Sequence, residues 1–261
     1  MPTLAADKAT PETITHIHRW TDTLLSFKTS KPPGYAYAPG QFARIGLQQK
    51  GAVVWRAYSM ISTPAEAELE FYSVLVPGGL FTSALTTALP GDRILIEKQV
   101  YGFMTADRFE DGDTLWMLAT GTGLGPFISM LRSPEVWQQF RNLVVVHGVR
   151  HQGEFAYQDE LFALRDYPPP AAINPGRLQI VQASTRDIDI AGNRLSGRIT
   201  TLLESGTLEK VTGLPITVES SRFMLCGNPA MIEETRRLLH ARGMRPCRRA
   251  LPGQFLTENY W

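Results

Sequence analysis

From Glu12 to Lys98, apolar and polar positions alternate in short runs separated by Pro, Gly and charged turn clusters. The runs are Thr13–Trp20, Leu24–Lys28, Gln41–Leu47, Val53–Met60, Glu68–Val76 and Arg93–Lys98. A period of two over such lengths predicts strands, and six in succession predict an antiparallel barrel or sandwich. One helix interrupts them at Leu80–Leu89, where Phe81, Ala84, Leu85 and Ala88 share a face between Gly78-Gly79 and Pro90-Gly91.

After Asp111-Gly112-Asp113 the rhythm changes. Apolar runs now alternate with helical stretches: Leu115–Ala119 then Phe127–Arg132, Leu143–Val149 then Gln158–Leu164, Leu178–Ala183 then Ile199–Glu204, and Phe223–Leu225 then Met231–Arg242. Strand–helix alternation predicts a parallel sheet covered on both faces. The boundary is expected near Thr105–Asp113, dividing the chain into domains 1–108 and 109–261. Tyr167–Pro170 and Ile173–Gly176 read as an exposed Pro-rich loop.

Composition narrows the function classes. The 261 residues suit two domains with separate cores. A hydrophobic share of 43%, a charged share of 20% and a formal net charge of +1 give no support for bulk nucleic-acid or membrane binding. No apolar run is of spanning length and Met1–Thr10 is not of signal-peptide type, so a cytoplasmic protein is expected. Cys226 and Cys247, the only cysteines, are too few for an iron–sulfur cluster or structural zinc site from this chain alone, and no metal is expected. A disulfide between them stays open, although a cytosolic compartment argues against it.

Four segments carry candidate chemistry. In Arg56-Ala57-Tyr58-Ser59, strand alternation puts a guanidinium and an aromatic ring on one face, where one can pair with phosphate and the other stack on a flat ring. Gly78-Gly79-Leu80-Phe81-Thr82-Ser83 leads glycines into a helix, whose first N–H groups suit a pyrophosphate. Ala119-Thr120-Gly121-Thr122-Gly123-Leu124-Gly125-Pro126-Phe127 joins an apolar strand to a helix, the context a dinucleotide requires. Leu225-Cys226-Gly227-Asn228-Pro229-Ala230-Met231 is a strand end and a turn into a Pro-opened helix, with Cys226 at the ligand-binding edge of the sheet. Taken singly, the first reads more readily as a surface pair, the second as an ordinary turn and cap, and the fourth as a core cysteine.

Together, in this order, these motifs resemble the ferredoxin–NADP reductase family from about Glu12 to the end of the chain. The resemblance implies a six-stranded antiparallel β-barrel for FAD and an α/β parallel-sheet domain for NADP. It implies that Arg56 binds the FAD pyrophosphate, Tyr58 stacks on the isoalloxazine and Ser59 lies near flavin N5. Ala57, Tyr72, Ser73, Val74, Leu75, Leu80, Phe81, Thr82 and Thr122 would complete a non-covalent FAD site. For NADP it implies Gly121, Thr122, Gly123, Gly125 and Pro126, with Cys226, Gly227, Asn228 and Met231. Arg150, Arg186 and Arg198, with Thr185, resemble the 2′-phosphate clamp of the bacterial subgroup, and no acidic partner for a ribose 2′-OH is evident after His147-Gly148.

The C-terminal Thr257-Glu258-Asn259-Tyr260-Trp261 resembles the tail of the bacterial enzymes, with Tyr260 against the flavin and Trp261 on the FAD adenine. Ser59, Cys226, Glu258 and Tyr260 are the implied catalytic residues, Glu258 exchanging a proton with solvent. A slower, bacterial type of reductase is expected. Six arginines (Arg236, Arg237, Arg242, Arg245, Arg248 and Arg249), with no Asp or Glu between Thr235 and Thr257, suit an acidic ferredoxin or flavodoxin as partner. For Arg236 and Arg237 a solvated helix face is an equal reading. A monomer is expected. The rival readings are the flavin component of an oxygenase or nitrate reductase system, which often favours NADH, and a non-catalytic FAD-binding electron-transfer subunit.

Overall fold

The computed structural model describes residues 8–49, 51–173, 175–187, 192, 194–248 and 251–259, Asn259 by its backbone alone. The chain divides into two compact units, Met1–Phe103 and Met104–Trp261. The division precedes the expected residue 108 because the turn at Ala106–Arg108 is tied to the second unit. The Gln139 side chain donates to the carbonyls of Ala106 (3.0 Å) and Phe109 (2.9 Å), and the Phe109 ring meets Phe140 edge-on.

The first unit is a single antiparallel sheet of β1 (Ala9–Arg19), β2 (Leu24–Ser30), β3 (Phe42–Gln49), β4 (Ala52–Ser59), β5 (Glu68–Val74) and β6 (Arg93–Tyr101), in the order β4-β3-β6-β1-β2-β5. Its inward residues form one core that includes Ile14, Phe27, Ile45, Phe71, Ile94 and Ile96. Helix α1 (Leu80–Thr87) plugs that core with Phe81 and Leu85. The sheet curls until its two edges touch: β4 and β5 are joined by the bridge Met60–Phe71 and by Ile61 N–H donating to the Glu70 carbonyl at 2.8 Å. Back along β4 from that bridge, no backbone ladder joins the two edge strands among the described residues. The barrel therefore has one open seam, flanked by Arg56–Tyr58 and Tyr72–Val74.

The second unit holds a parallel sheet. Its elements are β7 (Thr114–Thr120), α2 (Gly125–Arg132), α3 (Pro134–Gln139), β8 (Asn142–Val149), α4 (Gln158–Asp166), β9 (Arg177–Ser184) and β10 (Leu195–Ser196). They continue with α5 (Ile199–Glu204), α6 (Thr207–Thr212), β11 (Ser221–Gly227), α7 (Pro229–Ala241) and β12 (Phe255–Asn259). The strand order is β10-β9-β8-β7-β11-β12, every pair parallel. Nearly every residue of β7, β8 and β11 is buried, which is why these strands read as unbroken apolar runs. The chain builds outward from β7 to β10, then returns to the other side of β7 for β11 and β12. That reversal makes the ends of β7 and β11 the switch point, where open α/β sheets hold their ligands.

Candidate functional site

In the first unit, β4 carries Arg56 and Ala57 exposed, Tyr58 half-buried and Ser59 buried. The Tyr58 ring packs on Phe81 at 5.4 Å, Phe27 at 6.1 Å and Phe71 at 6.5 Å. Its hydroxyl meets Ser73 Oγ of β5 at 2.9 Å, directly across the open seam. Burial pushes the Tyr58 phenol up to about 12, against the Ser73 hydrogen bond and the nearby positive Arg56, so it stays neutral. Arg56 and Tyr58 stand two residues apart on β4, on the face that strand alternation gives both.

Tyr72, Ser73 and Leu75 are buried and Val74 half-buried. The N–H of Leu75 is taken by the Thr23 carbonyl at 2.7 Å. Gly79 caps α1 with no side-chain bond, and a Cβ there would meet Thr82 Oγ1 at 2.6 Å. The Thr82 hydroxyl donates to the Val76 carbonyl at 2.9 Å, and so braces the turn from inside. Leu80 is 57% exposed, leaving the helix start open to a ligand. An unclosed seam, an uncapped helix start and a guanidinium beside a half-buried ring fit a flavin dinucleotide.

In the second unit two turns interlock at the switch point. Gly123 stands so close to β11 that a Cβ would lie 2.3 Å from the Cys226 carbonyl oxygen. Gly227, at φ +126°, stands so close to β7 that a Cβ would lie 2.2 Å from Thr120 Oγ1. The Thr120 hydroxyl in turn accepts the Asn228 N–H at 2.7 Å. The Asn228 side chain is spent on capping α7, accepting from the N–H groups of Ala230 (2.8 Å) and Met231 (3.3 Å). Met231 is buried, its sulfur accepting from the Thr235 hydroxyl. Gly121 (φ +53°) and Thr122 form the rim of the turn, while Gly125 and Pro126 are buried in the first turn of α2.

A residue the sequence reading passed over stands behind this rim. His147 of β8 is fully buried, and its Nε2 lies 3.1 Å from the Gly121 carbonyl. Burial drives its pKa down to about 4, against the pull of that carbonyl and of Glu154. The ring is therefore neutral and donates from Nε2, holding the Gly121 peptide in place. Nothing in the local pattern of β8 distinguishes it from a polar interruption of a core strand.

Arg150, Arg186 and Arg198 leave the ends of β8, β9 and β10, three adjacent strands, and all are exposed. Backbone bonds hold the ends in step: Arg186 N–H to the Arg150 carbonyl at 2.9 Å, and Gly197 N–H to the Ser184 carbonyl at 2.9 Å. Thr185 donates its hydroxyl to the Val149 carbonyl at 3.3 Å. An acid does stand here: Glu154 pairs with Arg150 (Nη2–Oε1 2.9 Å) and also accepts its N–H. It lies in the 3-10 turn Gln152–Glu154, set aside from the strand itself.

Cys226 is buried at the end of β11, in register with Ala119 on one side and Glu258 on the other. Glu258 thus belongs to an edge strand and not to a loose tail. Both its carboxylate oxygens are buried with no hydrogen-bond partner among the described residues, and burial raises its pKa to about 8. Tyr260 and Trp261 lie outside the described residues, as does Arg249. Cys226 and Cys247 are not joined in a disulfide.

A curled antiparallel barrel and a parallel sheet with a glycine turn at its switch point define a two-domain oxidoreductase of the flavin and nicotinamide class. Two family models match accordingly: Oxidoreductase FAD-binding domain over residues 14–100 and Oxidoreductase NAD-binding domain over residues 117–237. A flavodoxin/ferredoxin–NADP reductase of Shigella flexneri is 39% identical over 95% of this chain and 97% of its own length. A ferredoxin–NADP reductase of Pseudomonas aeruginosa is 36% identical, over 95% of each chain. A solved ferredoxin NADP+ reductase from Neisseria gonorrhoeae, with bound FAD and NADP, superposes with a TM-score of 0.90 at 34% identity, over 97% of this chain and 99% of that one. The chain belongs to the flavodoxin/ferredoxin–NADP reductase family. No helix among the described residues is long and apolar enough to cross a membrane.

Proposed function

We propose that this chain is a flavodoxin/ferredoxin–NADP reductase, passing electrons between NADP(H) held by the second unit and a ferredoxin or flavodoxin, through FAD held by the first. The observation that carries the nicotinamide half is the gathering of Arg150, Arg186 and Arg198 on three adjacent strand ends. Three guanidiniums in one exposed place suit a phosphate dianion. The relatives, flavodoxin/ferredoxin–NADP and ferredoxin–NADP reductases, support the acceptor.

When bound, FAD supplies the exchange between a two-electron carrier and one-electron carriers that nicotinamide cannot make alone. This chain's residues bind and orient. Arg56 and the first N–H groups of α1 hold a pyrophosphate, the neutral Tyr58 ring and Ser59 meet the flat ring system, and the backbone of Tyr72–Leu75 lines the seam. The α2 start, with Gly121, Thr122 and Gly123, receives the second dinucleotide, and Cys226 closes the strand end beside it. Glu258 stays protonated up to about pH 8, and so holds a proton that the reaction can draw on. Tyr260 and Trp261 belong to this reading as ring partners of the cofactor, and residues 1–108 and 109–261 as its two functional halves.

The partner is an acidic protein that docks on the arginines near the C-terminus. Arg236 pairs with Glu233 at 3.0 Å and Arg242 with Glu209 at 3.2 Å, which leaves the exposed Arg237, Arg245 and Arg248 as the docking cations. The enzyme works as a cytoplasmic monomer. Steady-state assays with NADPH or NADH, against ferredoxin and flavodoxin from the same genome, test the whole reading. NADPH-driven reduction of either acceptor is expected. Equal use of NADH would sink the arginine assignment, and turnover with free flavin alone would sink the acceptor.

A further inference from the structure

Arg194 stands just ahead of β10, in the segment that leads through Gly197 to Arg198. Its guanidinium donates through three nitrogens to three glutamines: Nε to Gln182 Oε1 at 3.0 Å, Nη1 to Gln152 Oε1 at 3.1 Å and Nη2 to Gln158 Oε1 at 2.9 Å. Its flat face lies over the Phe155 ring, 5.0 Å from the centroid. Among the described residues no carboxylate pairs with it. A half-buried cation ordinarily takes an acid as partner. Among the described residues this one takes neutral carbonyl oxygens and a ring instead.

The three glutamines lie on three elements. Gln182 is on β9, Gln158 opens α4, and Gln152 opens the 3-10 turn Gln152–Glu154. That turn carries Glu154, which grips Arg150 by its side chain and its N–H. One guanidinium thus fastens the segment before Arg198 to the turn that aims Arg150. We propose that Arg194 is the positioning residue of the 2′-phosphate clamp, a strut that fixes Arg150 and Arg198 relative to each other and so favours a 2′-phosphorylated dinucleotide over its unphosphorylated counterpart. The proposal rests on the reading of those arginines as the clamp.

The physical reason is preorganisation. Two exposed arginines on separate loops lose side-chain and loop freedom when they close on one phosphate, and a rigid mount removes part of that cost before the ligand arrives. The guanidinium reaches the three acceptors from three nitrogens fixed in one plane; a lysine ammonium also has three donors, but they sit on one nitrogen at the end of a flexible stem and do not span the same acceptors. The positive charge of Arg194 also favours a dianion nearby, but charge alone would survive replacement by Lys.

The test measures, on the FAD-loaded protein, calorimetric affinity for 2′-phospho-AMP and for AMP beside steady-state kinetics with NADPH and NADH. Arg194→Gln and Arg194→Lys should both weaken 2′-phospho-AMP binding about tenfold, as expected for losing a charge-assisted contact. The KM for NADPH should rise in proportion, with AMP affinity and NADH kinetics unmoved. Gln152→Ala, which cuts one arm, should give a smaller loss with the same selectivity and serves if the Arg194 variants fail to fold. Wild-type affinity in Arg194→Gln, equal losses for both ligands, or full retention in Arg194→Lys would overturn the proposal. Arg198→Ala separates the two levels. If it leaves 2′-phospho-AMP binding unchanged, the clamp reading is wrong and the strut falls with it; if it weakens binding while the Arg194 variants do not, only the strut is wrong.

Discussion

The two ligand-holding regions of this molecule are built by opposite means. In the second unit the protein completes its own site: Gly123 and Gly227 bring two turns into backbone contact, Thr120 bonds across them and His147 fixes Gly121 from behind. In the first unit the candidate site is a gap, where β4 and β5 part after the Met60–Phe71 bridge and the seam is spanned by side chains, the Tyr58–Ser73 hydroxyl pair and the Tyr58–Phe71 ring contact. On the proposed reading, the nicotinamide half is preorganised and the flavin half is left for its cofactor to finish. An exchangeable substrate rewards the first design, because less ordering is needed at each encounter. A resident group permits the second, since binding energy is then folding energy.

The largest expected effect comes from unlocking the second site. Gly123→Ala puts a methyl group against the Cys226 carbonyl, so backbone must move, at a cost of about 3 kcal/mol or more. Urea unfolding should show a lower midpoint, and NADP affinity should fall with it, while FAD content stays near wild type. Loss of FAD with intact NADP binding would reverse the comparison.

Glu258 gives the next effect, through pH. The folded protein keeps this proton to about pH 8, whereas an exposed Glu releases it near 4.5. Across that window the folded state binds more protons than the unfolded one, so raising the pH removes stability. The stability difference between wild type and Glu258→Gln should therefore change steadily from about pH 4.5 to 8 and level off on either side. A flat difference would mean the carboxylate is paired or solvated.

The smallest effect concerns the surface. Replacing Arg237, Arg245 and Arg248 by Gln should slow ferredoxin or flavodoxin association severalfold at low salt, about tenfold at most, with the gap closing as salt rises. The same replacement at the ion-paired Arg236 and Arg242 should change association less. Equal effects from both sets would remove the distinction that the Glu233 and Glu209 pairs make.

Much of this was legible in the sequence because it is written in local period. All six barrel strands and the four main strands of the parallel sheet follow from alternation or unbroken apolar runs. The glycine turns follow from their position between strand and helix. What was not legible depends on residues distant in sequence. β12 is a short terminal strand recognisable only through its pairing with β11. His147 looks like any polar residue in a strand until Gly121 is placed against it. Arg194 acquires its role from glutamines at 152, 158 and 182, and Glu154 reaches Arg150 from a separate turn. The same holds for the arginine-rich stretch, where the acids that pair with Arg236 and Arg242, Glu233 and Glu209, lie outside it.

Hydrogen exchange on the apoprotein and the FAD-loaded protein tests the contrast between the two regions most directly. The account predicts that FAD strongly protects the amides around Tyr58, Tyr72–Leu75 and Leu80–Thr82, while those of Thr120–Gly123 and Cys226–Asn228 are equally slow in both forms. Equal gains in protection in the two regions, or a nicotinamide site that becomes ordered only with FAD, would contradict it.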